Sequence, residues 1–518
     1  MGNGKKLSRT TIPARSRWLL SFGAILAAAA LLTLPSVFQP MRTNDSFWID
    51  WVWVDQFAHQ LGSGDLYPRW LAQSHAGLGS PVFYYYPPLA FYLSAPFVWG
   101  GLSTYGAILA TFSLAYVLSG ASMYWWLKDK AARPTLGGLL YVAAPYHAFN
   151  FYFRGAMAEF LASAIVPVVM LGLSRLSERK QGGFALTSLS YSALICTHLP
   201  LALLASLFLF GPYAVLMARR DTQALAMAAA LAGGIALAAI YLVPAFALAP
   251  YRDTASLWVL PTLRPSSWTV WHPALADLNE MRDVLLIAGA LAIPLIGLLW
   301  RQPSGWAALA LLCIALAIGV APAFWHLPIL KSVQFPFRMM PLAEFAFATA
   351  VARASSRRSA IVLAALPLLM TFFLVTAQSA PPGISLEELQ HNHPDVPENL
   401  PRGQRPYTWP SRWALNLAVR HQQPIVANGV TTDTVFYFPA WEVRCRGALV
   451  PTFPAPQTQL LSYRGAGCAR TIGITPPERW GAAISLIVLL LLIGGSLASR
   501  RLRRRPLRPN GEAEEVTR

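Results

Sequence analysis

A chain of 518 residues that is 55% hydrophobic and only 12% charged is too apolar for an ordinary soluble enzyme. Its net charge of +18 does not mark a nucleic-acid partner, because more than half of the lysines and arginines sit in short segments between apolar runs. There they act as a topology signal that keeps loops in the cytoplasm.

Residues 5–17 are basic and lead into the first apolar run, 17–38. That run ends in Leu34-Pro35-Ser36 without a small-x-small cleavage site, so it reads as a retained first span and not as a signal peptide. Further spans are predicted at 104–127, 134–152, 156–176, 184–197, 200–217, 222–248, 284–300, 304–323, 339–352, 359–377 and 481–499. The basic segments 128–133, 175–180, 219–220, 301, 353–358 and 500–518 then share one side, and an even number of spans puts both termini there, in the cytoplasm. Arg500-Arg501-Leu502-Arg503-Arg504-Arg505 reads as a stop-transfer anchor near anionic headgroups. Counting the apolar segment 86–99 as a span would invert every later loop. It is therefore read as a re-entrant or interfacial helix.

Three segments lie on the other, external side. The first, 39–88, is aromatic and acidic, with Asp45, Asp50, Asp55 and Asp65. The second, 250–283, mixes Trp258, Trp268 and Trp271 with Arg252, Asp253, Asp277 and Asp283. The third, 377–480, has alternating runs at 434–438, 441–443 and 459–463 between turn residues, which predicts a small β-rich domain. Cys445 and Cys468 both lie in it, where disulfides persist, and are read as a structural bridge. Cys196 and Cys313 sit in apolar spans as packing residues, and no spacing resembles a metal site. The predicted fold class is an all-α polytopic membrane protein of about twelve helices with a β-rich domain before the last. Residues 1–376 form the transmembrane domain, 377–480 the external domain, and 481–518 the last helix with its basic tail.

Asp45 and Asp50 follow the first span closely, and Phe47, Trp48, Trp51 and Trp53 wall them from water, which suits a general base. Asp55 and Asp65 read as solvated loop acids, and His59 as a surface histidine on an amphipathic helix. Gly64-Asp65-Leu66-Tyr67-Pro68-Arg69-Trp70 is a turn entering an aromatic and basic interface cluster. Arg154 and Glu159 stand where two spans meet externally. The arginine either holds a phosphate or carboxylate with its fork or pairs with the glutamate. His198, in Thr197-His198-Leu199-Pro200, interrupts an apolar hairpin at the same face. Arg338, in Gln334-Phe335-Pro336-Phe337-Arg338, opens a span there, as a ligand or as a snorkelling anchor. Arg154, His198 and Arg338 opposite the carboxylates would make a base and a charge-stabilising pocket for transfer from a phosphate leaving group.

These stretches carry a resemblance. The run from Gly64 to Trp70, continuing into Gly77-Leu78-Gly79-Ser80-Pro81-Val82-Phe83-Tyr84-Tyr85-Tyr86-Pro87-Pro88-Leu89, resembles bacterial membrane proteins with the 6-pyruvoyl-tetrahydropterin synthase-related domain. So do Arg154-Gly155-Ala156-Met157-Ala158-Glu159, Thr197-His198-Leu199-Pro200 and Gln334-Phe335-Pro336-Phe337-Arg338. Nothing resembles the soluble pterin enzyme with its zinc histidines. The family is similar to YfhO-like proteins and GT-C glycosyltransferases, which the resemblance associates with a catalytic aspartate in the first external loop and a polyprenyl-phosphate sugar donor. Phe438-Pro439-Ala440-Trp441 with Gly447, Gly465 and Gly467 resembles the terminal β domain of YfhO-like chains. One departure stands out: family members often carry an acid and a histidine a few residues apart in this loop, whereas Asp45 here is followed by Ile49 and Asp50. Either aspartate remains open as the base.

The resemblance implies a GT-C-like glycosyltransferase of the bacterial inner membrane that moves a sugar from a polyprenyl-phosphate donor to a saccharide, lipid or protein acceptor at the periplasmic face. Asp45 or Asp50 would be catalytic, with Arg69, Arg154, Glu159, His198 and Arg338 binding substrate. No cofactor is implied. The external acids offer oxygen ligands to a divalent cation without forming a dedicated cage. The alternatives are a lipid-linked saccharide transporter or flippase, disfavoured by the absence of an internal repeat, and a non-catalytic envelope-polysaccharide assembly protein.

Overall fold

The computed structural model describes residues 14–39, 46–218, 221–254, 261–271, 278–377, 389, 395–402 and 423–504. After α1 (Ala14–Thr33) the chain stays at one end of the molecule for α2 (Phe47–Gly62) and α3 (Leu89–Trp99), and α4 (Thr104–Leu127) returns. α5 (Pro134–Val142) and α6 (Pro145–Phe149) make one broken pass. Pro145 has no N–H to give the preceding turn and its ring displaces the carbonyl behind it, so the helix must restart there. There follow α7 (Met157–Ser177), α8 (Gly183–Ile195), α9 (Leu199–Met217), α10 (Asp221–Leu237) and α11 (Ala239–Ala247), the last two bent by 65°. α12 (Leu278–Arg301), α13 (Gly305–Ala317), α14 (Met340–Ala352), α15 (Arg357–Thr376) and, after the strands, α16 (Pro476–Arg504) are the remaining long helices among the described residues.

Among the described residues seven helices are long and apolar enough to cross a membrane: α1 with its continuation to Phe38, then α4, α7, α9, α12, α15 and α16. The bent α10–α11 pair passes the same test as one span. Other predicted passes are present but short. α8, α13 and α14 have 13 residues each, about 20 Å of helix against a hydrocarbon core of about 30 Å. α14 compensates by burying every one of its residues in the bundle. Small residues bring neighbours close. A Cβ on Gly172 of α7 would meet Thr187 Oγ1 of α8 at 2.5 Å, and one on Gly234 of α10 would meet the Ser188 carbonyl at 2.9 Å.

The basic loops converge on one end. Arg133 donates to the Ala354 carbonyl at 2.6 Å, Arg353 to that of Lys130 at 2.8 Å, and Lys130 pairs with Glu178 at 3.8 Å. Of the external segment predicted at 39–88, the described residues 46–88 lie at the opposite end and are partly helical. Phe47, Trp48, Trp51, Val52, Trp53, Val54 and Phe57 leave α2 almost no polar face, so it is covered by α3 and α4 and not bathed in solvent. α3, in the segment read as re-entrant or interfacial, has only 11 residues and a proline, Pro96, inside it.

The strands form two antiparallel sheets. β1 (Ile425–Ala427), β2 (Val430–Phe436), β6 (Leu460–Arg464) and β5 (Thr452–Pro454) make one in that order, and β4 (Ala448–Val450), β3 (Trp441–Cys445) and β7 (Ala469–Ile472) the other. Arg470 bridges the sheets to Asp433, and Cys445 is bonded to Cys468. The sheets dock on the loop after α2 through Trp70, Tyr84, Phe438 and Trp441, and the Phe436 N–H donates to the Leu78 carbonyl at 2.8 Å.

Candidate functional site

The end of the bundle away from the basic loops holds a buried polar cluster. It begins where α2 meets the start of α7. The Ser46 N–H donates to the Arg154 carbonyl at 3.0 Å, and Gly155 turns the chain with φ 63°. A Cβ there would lie 2.5 Å from that of Phe47, so only glycine lets α2 come this close. One turn into α2, Asp50 is 3% exposed, and its Oδ2 accepts the N–H of Met157, the first residue of α7, at 2.9 Å. The positive end of a helix dipole therefore faces the carboxylate and favours its anionic form. Asp45 lies outside the described residues.

Arg154, closing a π-helical turn, donates through Nη1 to Glu159 Oε2 at 2.8 Å and to Tyr146 Oη at 3.2 Å, and pairs through Nε with Glu280 at 3.4 Å. Arg338, on a 3-10 turn, reaches the same Glu159 oxygen at 3.4 Å and donates to the Val333 carbonyl at 2.6 Å. Phe335 and Phe337 stack on each other: Arg338 lies 4.8 Å and Arg154 5.8 Å from the Phe335 ring, and Arg154 lies 4.9 Å from that of Phe337. These rings exclude water and fix the planes of both forks. Two guanidiniums share one deeply buried carboxylate, and the second carboxylate on Arg154, that of Glu280, is 23% exposed. The fork of each guanidinium is suited to the oxygens of a phosphate group.

His198 stands within electrostatic reach of Arg338, Glu159 and Arg154. Its Nδ1 accepts the Leu201 N–H at 3.2 Å and caps α9, which leaves Nε2 as the protonated nitrogen. Tyr86 packs against Trp53 of α2. Burial pushes its phenol far above the ordinary range, and the charges acting on it are those of Asp50, Arg338, Glu159 and Arg154.

The cluster extends into the bundle through residues the sequence reading did not single out. Tyr146 Oη donates to Glu159 Oε1 at 2.6 Å, while its N–H donates to Glu344 Oε1 at 2.5 Å. His147 lies 2.7 Å from Glu344 Oε2 and 3.1 Å from Ser163 Oγ. A signal for this network was available: Glu344 is an acid inside the apolar run 340–352, and such residues are retained only with partners.

Arg69 does not join the cluster. It pairs with Glu478 of α16 at 2.9 Å, donates to the Ile240 carbonyl at 2.9 Å and lies 3.7 Å from the Tyr67 ring. Glu478 also accepts from the N–H and hydroxyl of Thr475, a capping box that starts α16. Asp55 accepts from Thr104 at 2.9 Å, the exposed Asp65 accepts the Tyr67 N–H, and His59 is a surface residue beside Asp55. Among the described residues no three His, Cys, Asp or Glu side chains are grouped to hold a metal ion.

Residues 83–380 match the model of the 6-pyruvoyl-tetrahydropterin synthase related domain, described as a membrane protein. No protein of curated function matches the sequence. Among solved structures, the chain is similar to the arabinofuranosyltransferase AftD from Mycobacteria, with a TM-score of 0.44 and 15% identity over 71% of this chain and 27% of that one. It is also similar to the archaeal oligosaccharyltransferase AglB from Archaeoglobus fulgidus, with a TM-score of 0.43 and 11% identity over 76% and 61%. A third similarity is to ArnT from Cupriavidus metallidurans, with a TM-score of 0.31 and 11% identity over 69% and 78%. The chain thus spans about a quarter of the length of the first of these and under two thirds of the second.

Proposed function

The chain belongs to the 6-pyruvoyl-tetrahydropterin synthase related family of membrane proteins, and from that premise we propose that it transfers a sugar from a polyprenyl-phosphate carrier to an acceptor hydroxyl. The observation that carries this reading is the buried Asp50 carboxylate on the Met157 N–H, at the end of the bundle where the Arg154 and Arg338 guanidiniums meet on Glu159. Asp50 takes the proton of the acceptor hydroxyl. The acceptor oxygen attacks the anomeric carbon, and the bond from that carbon to the phosphate oxygen breaks with its electron pair on the phosphate. Arg154 and Arg338 meet the charge that develops there, with Glu159 and Tyr146 holding the arginines in place. Attack opposite the leaving group inverts the anomeric centre.

The convergent basic loops support an orientation with that end in the cytoplasm and the site at the periplasmic face of a bacterial inner membrane. The two sheets, beside the site end, are proposed to select the acceptor. The test is turnover of radiolabelled polyprenyl-phosphate sugars by the purified protein. Wild type is expected to release polyprenyl phosphate. Asp50→Asn should slow release about 10²–10⁴-fold, the usual contribution of a general base, and Arg338→Ala about 10²–10³-fold, as for loss of one charge-stabilising donor. Undiminished release by Asp50→Asn with loss in Asp45→Asn moves the base to Asp45. Tight lipid binding with no turnover by wild type overturns the enzyme reading.

A further inference from the structure

Residues 395–402 cross the site end as a strap. Arg252 and Pro401 form a β-bridge, the Asp253 N–H donates to the Leu400 carbonyl at 2.9 Å, and the Arg402 N–H donates to that of Tyr251 at 3.1 Å. The strap buries its own Val396 and Leu400. Asp395, 4% exposed, accepts the indole N–H of Trp53 at 3.0 Å. Trp53 is one turn beyond Asp50 on α2, so the two share a face, and its ring lies 4.7 Å from that of Tyr86, edge to face. The line from Asp395 through Trp53 thus reaches Tyr86, whose phenol feels the charges of Asp50, Arg338, Glu159 and Arg154.

We infer that the strap is the outer wall of the site on its Asp50 side, with Asp395 as the positioning residue that holds Trp53, and through it Tyr86, beside Asp50. The inference rests on the site reading above only in calling that side the acceptor side.

One titratable group of the strap would couple the wall to pH. Glu398, partly open at its outer edge, is desolvated enough by the protein around it that its carboxyl is pushed up to about 7; the charge of Asp395 adds to this and that of Arg252 opposes it. Arg252 faces it from the 251–253 segment and Asp395 from the strap itself, while His75, in the loop after α2, feels Asp395. Ionisation of Glu398, three residues from Asp395, would therefore change the charge around the Trp53 hydrogen bond near neutral pH.

The test is fluorine NMR of the full chain labelled with fluorotryptophan in lipid nanodiscs, with the Trp53 resonance assigned from Trp53→Phe. In wild type this resonance should move between about pH 6 and about pH 8. Glu398→Gln should hold it at its low-pH position, and Asp395→Asn should displace it at both. Saturating decaprenyl phosphate should displace it in wild type and not in Arg338→Ala. A resonance unchanged in Asp395→Asn overturns the inference, and one unmoved by pH overturns the part given to Glu398. A pH-sensitive resonance that bound decaprenyl phosphate leaves untouched overturns the strap's part in the site. Failure of wild type to bind decaprenyl phosphate at all counts against the proposed function instead, and the Asp395→Asn arm still decides the strap.

Discussion

Arg338 shows how much of the site depends on shape beyond charge. Its Nε and Nη1 reach Glu159 and the Val333 carbonyl in different directions, which the single ammonium of a lysine cannot reproduce. Arg338→Lys is therefore expected to fold and keep its charge yet lose about 1.5–3 kcal/mol of charge-assisted hydrogen bonding, read as a fall in turnover of about tenfold or more. Equal turnover would mean that Arg338 acts as a point charge. Arg69 shows the opposite situation. Its sequence setting, in an aromatic and basic cluster near the membrane surface, looked no different from that of Arg154. Only its ion pair with Glu478 reveals that it fastens the last helix. Removing one partner of a buried pair costs about 3–5 kcal/mol, and replacing both by apolar residues is often neutral. Arg69→Leu should accordingly lower the thermal midpoint strongly, and Arg69→Leu with Glu478→Leu should recover most of it. Persistent instability of the double variant would give Arg69 a role beyond fastening.

At the scale of elements, the approach of α2 to α7 is the decisive packing contact, because it sets Asp50 on the Met157 N–H. Gly155→Ala introduces a left-handed alanine, costing about 1–2 kcal/mol, and drives its Cβ into Phe47. Turnover is expected to fall more than stability does, since α2 can retreat without unfolding. Kinetics beside thermal melts will show whether the two losses separate. The helical character of 47–62 was only partly legible. His59 was assigned to an amphipathic helix, but the apolar run around Trp51 has no polar face for periodicity to reveal. The broken pass at Pro145 and the short α8, α13 and α14 were likewise read as ordinary spans, since hydropathy measures composition and not the hydrogen-bond breaks inside a run. Strands were easier. Alternation located the runs near β2, β3 and β6, with ends misjudged by a few residues where turns and not side chains set the boundary.

For the whole molecule, the convergence of the basic loops at one end predicts that cysteines introduced beside Arg133 or Arg353 react with impermeant thiol reagents only after the membrane is opened from the cytoplasmic side. Cysteines introduced at exposed strand positions such as Leu449 should react without that treatment. The reverse pattern would place the site in the cytoplasm. Apolar runs, basic clusters and the alternating strands by themselves determined the polytopic class, the β-rich region before the last helix and which polar residues share an end, because solvation energy and charge along the chain are local properties. Tertiary structure alone decided that Arg154 and Arg338 meet on Glu159, that Arg69 leaves them for Glu478, that Glu344 and His147 brace Tyr146, and that Asp395 reaches Trp53 across 342 positions. Each of those contacts joins residues whose separation in sequence carries no record of their distance in space.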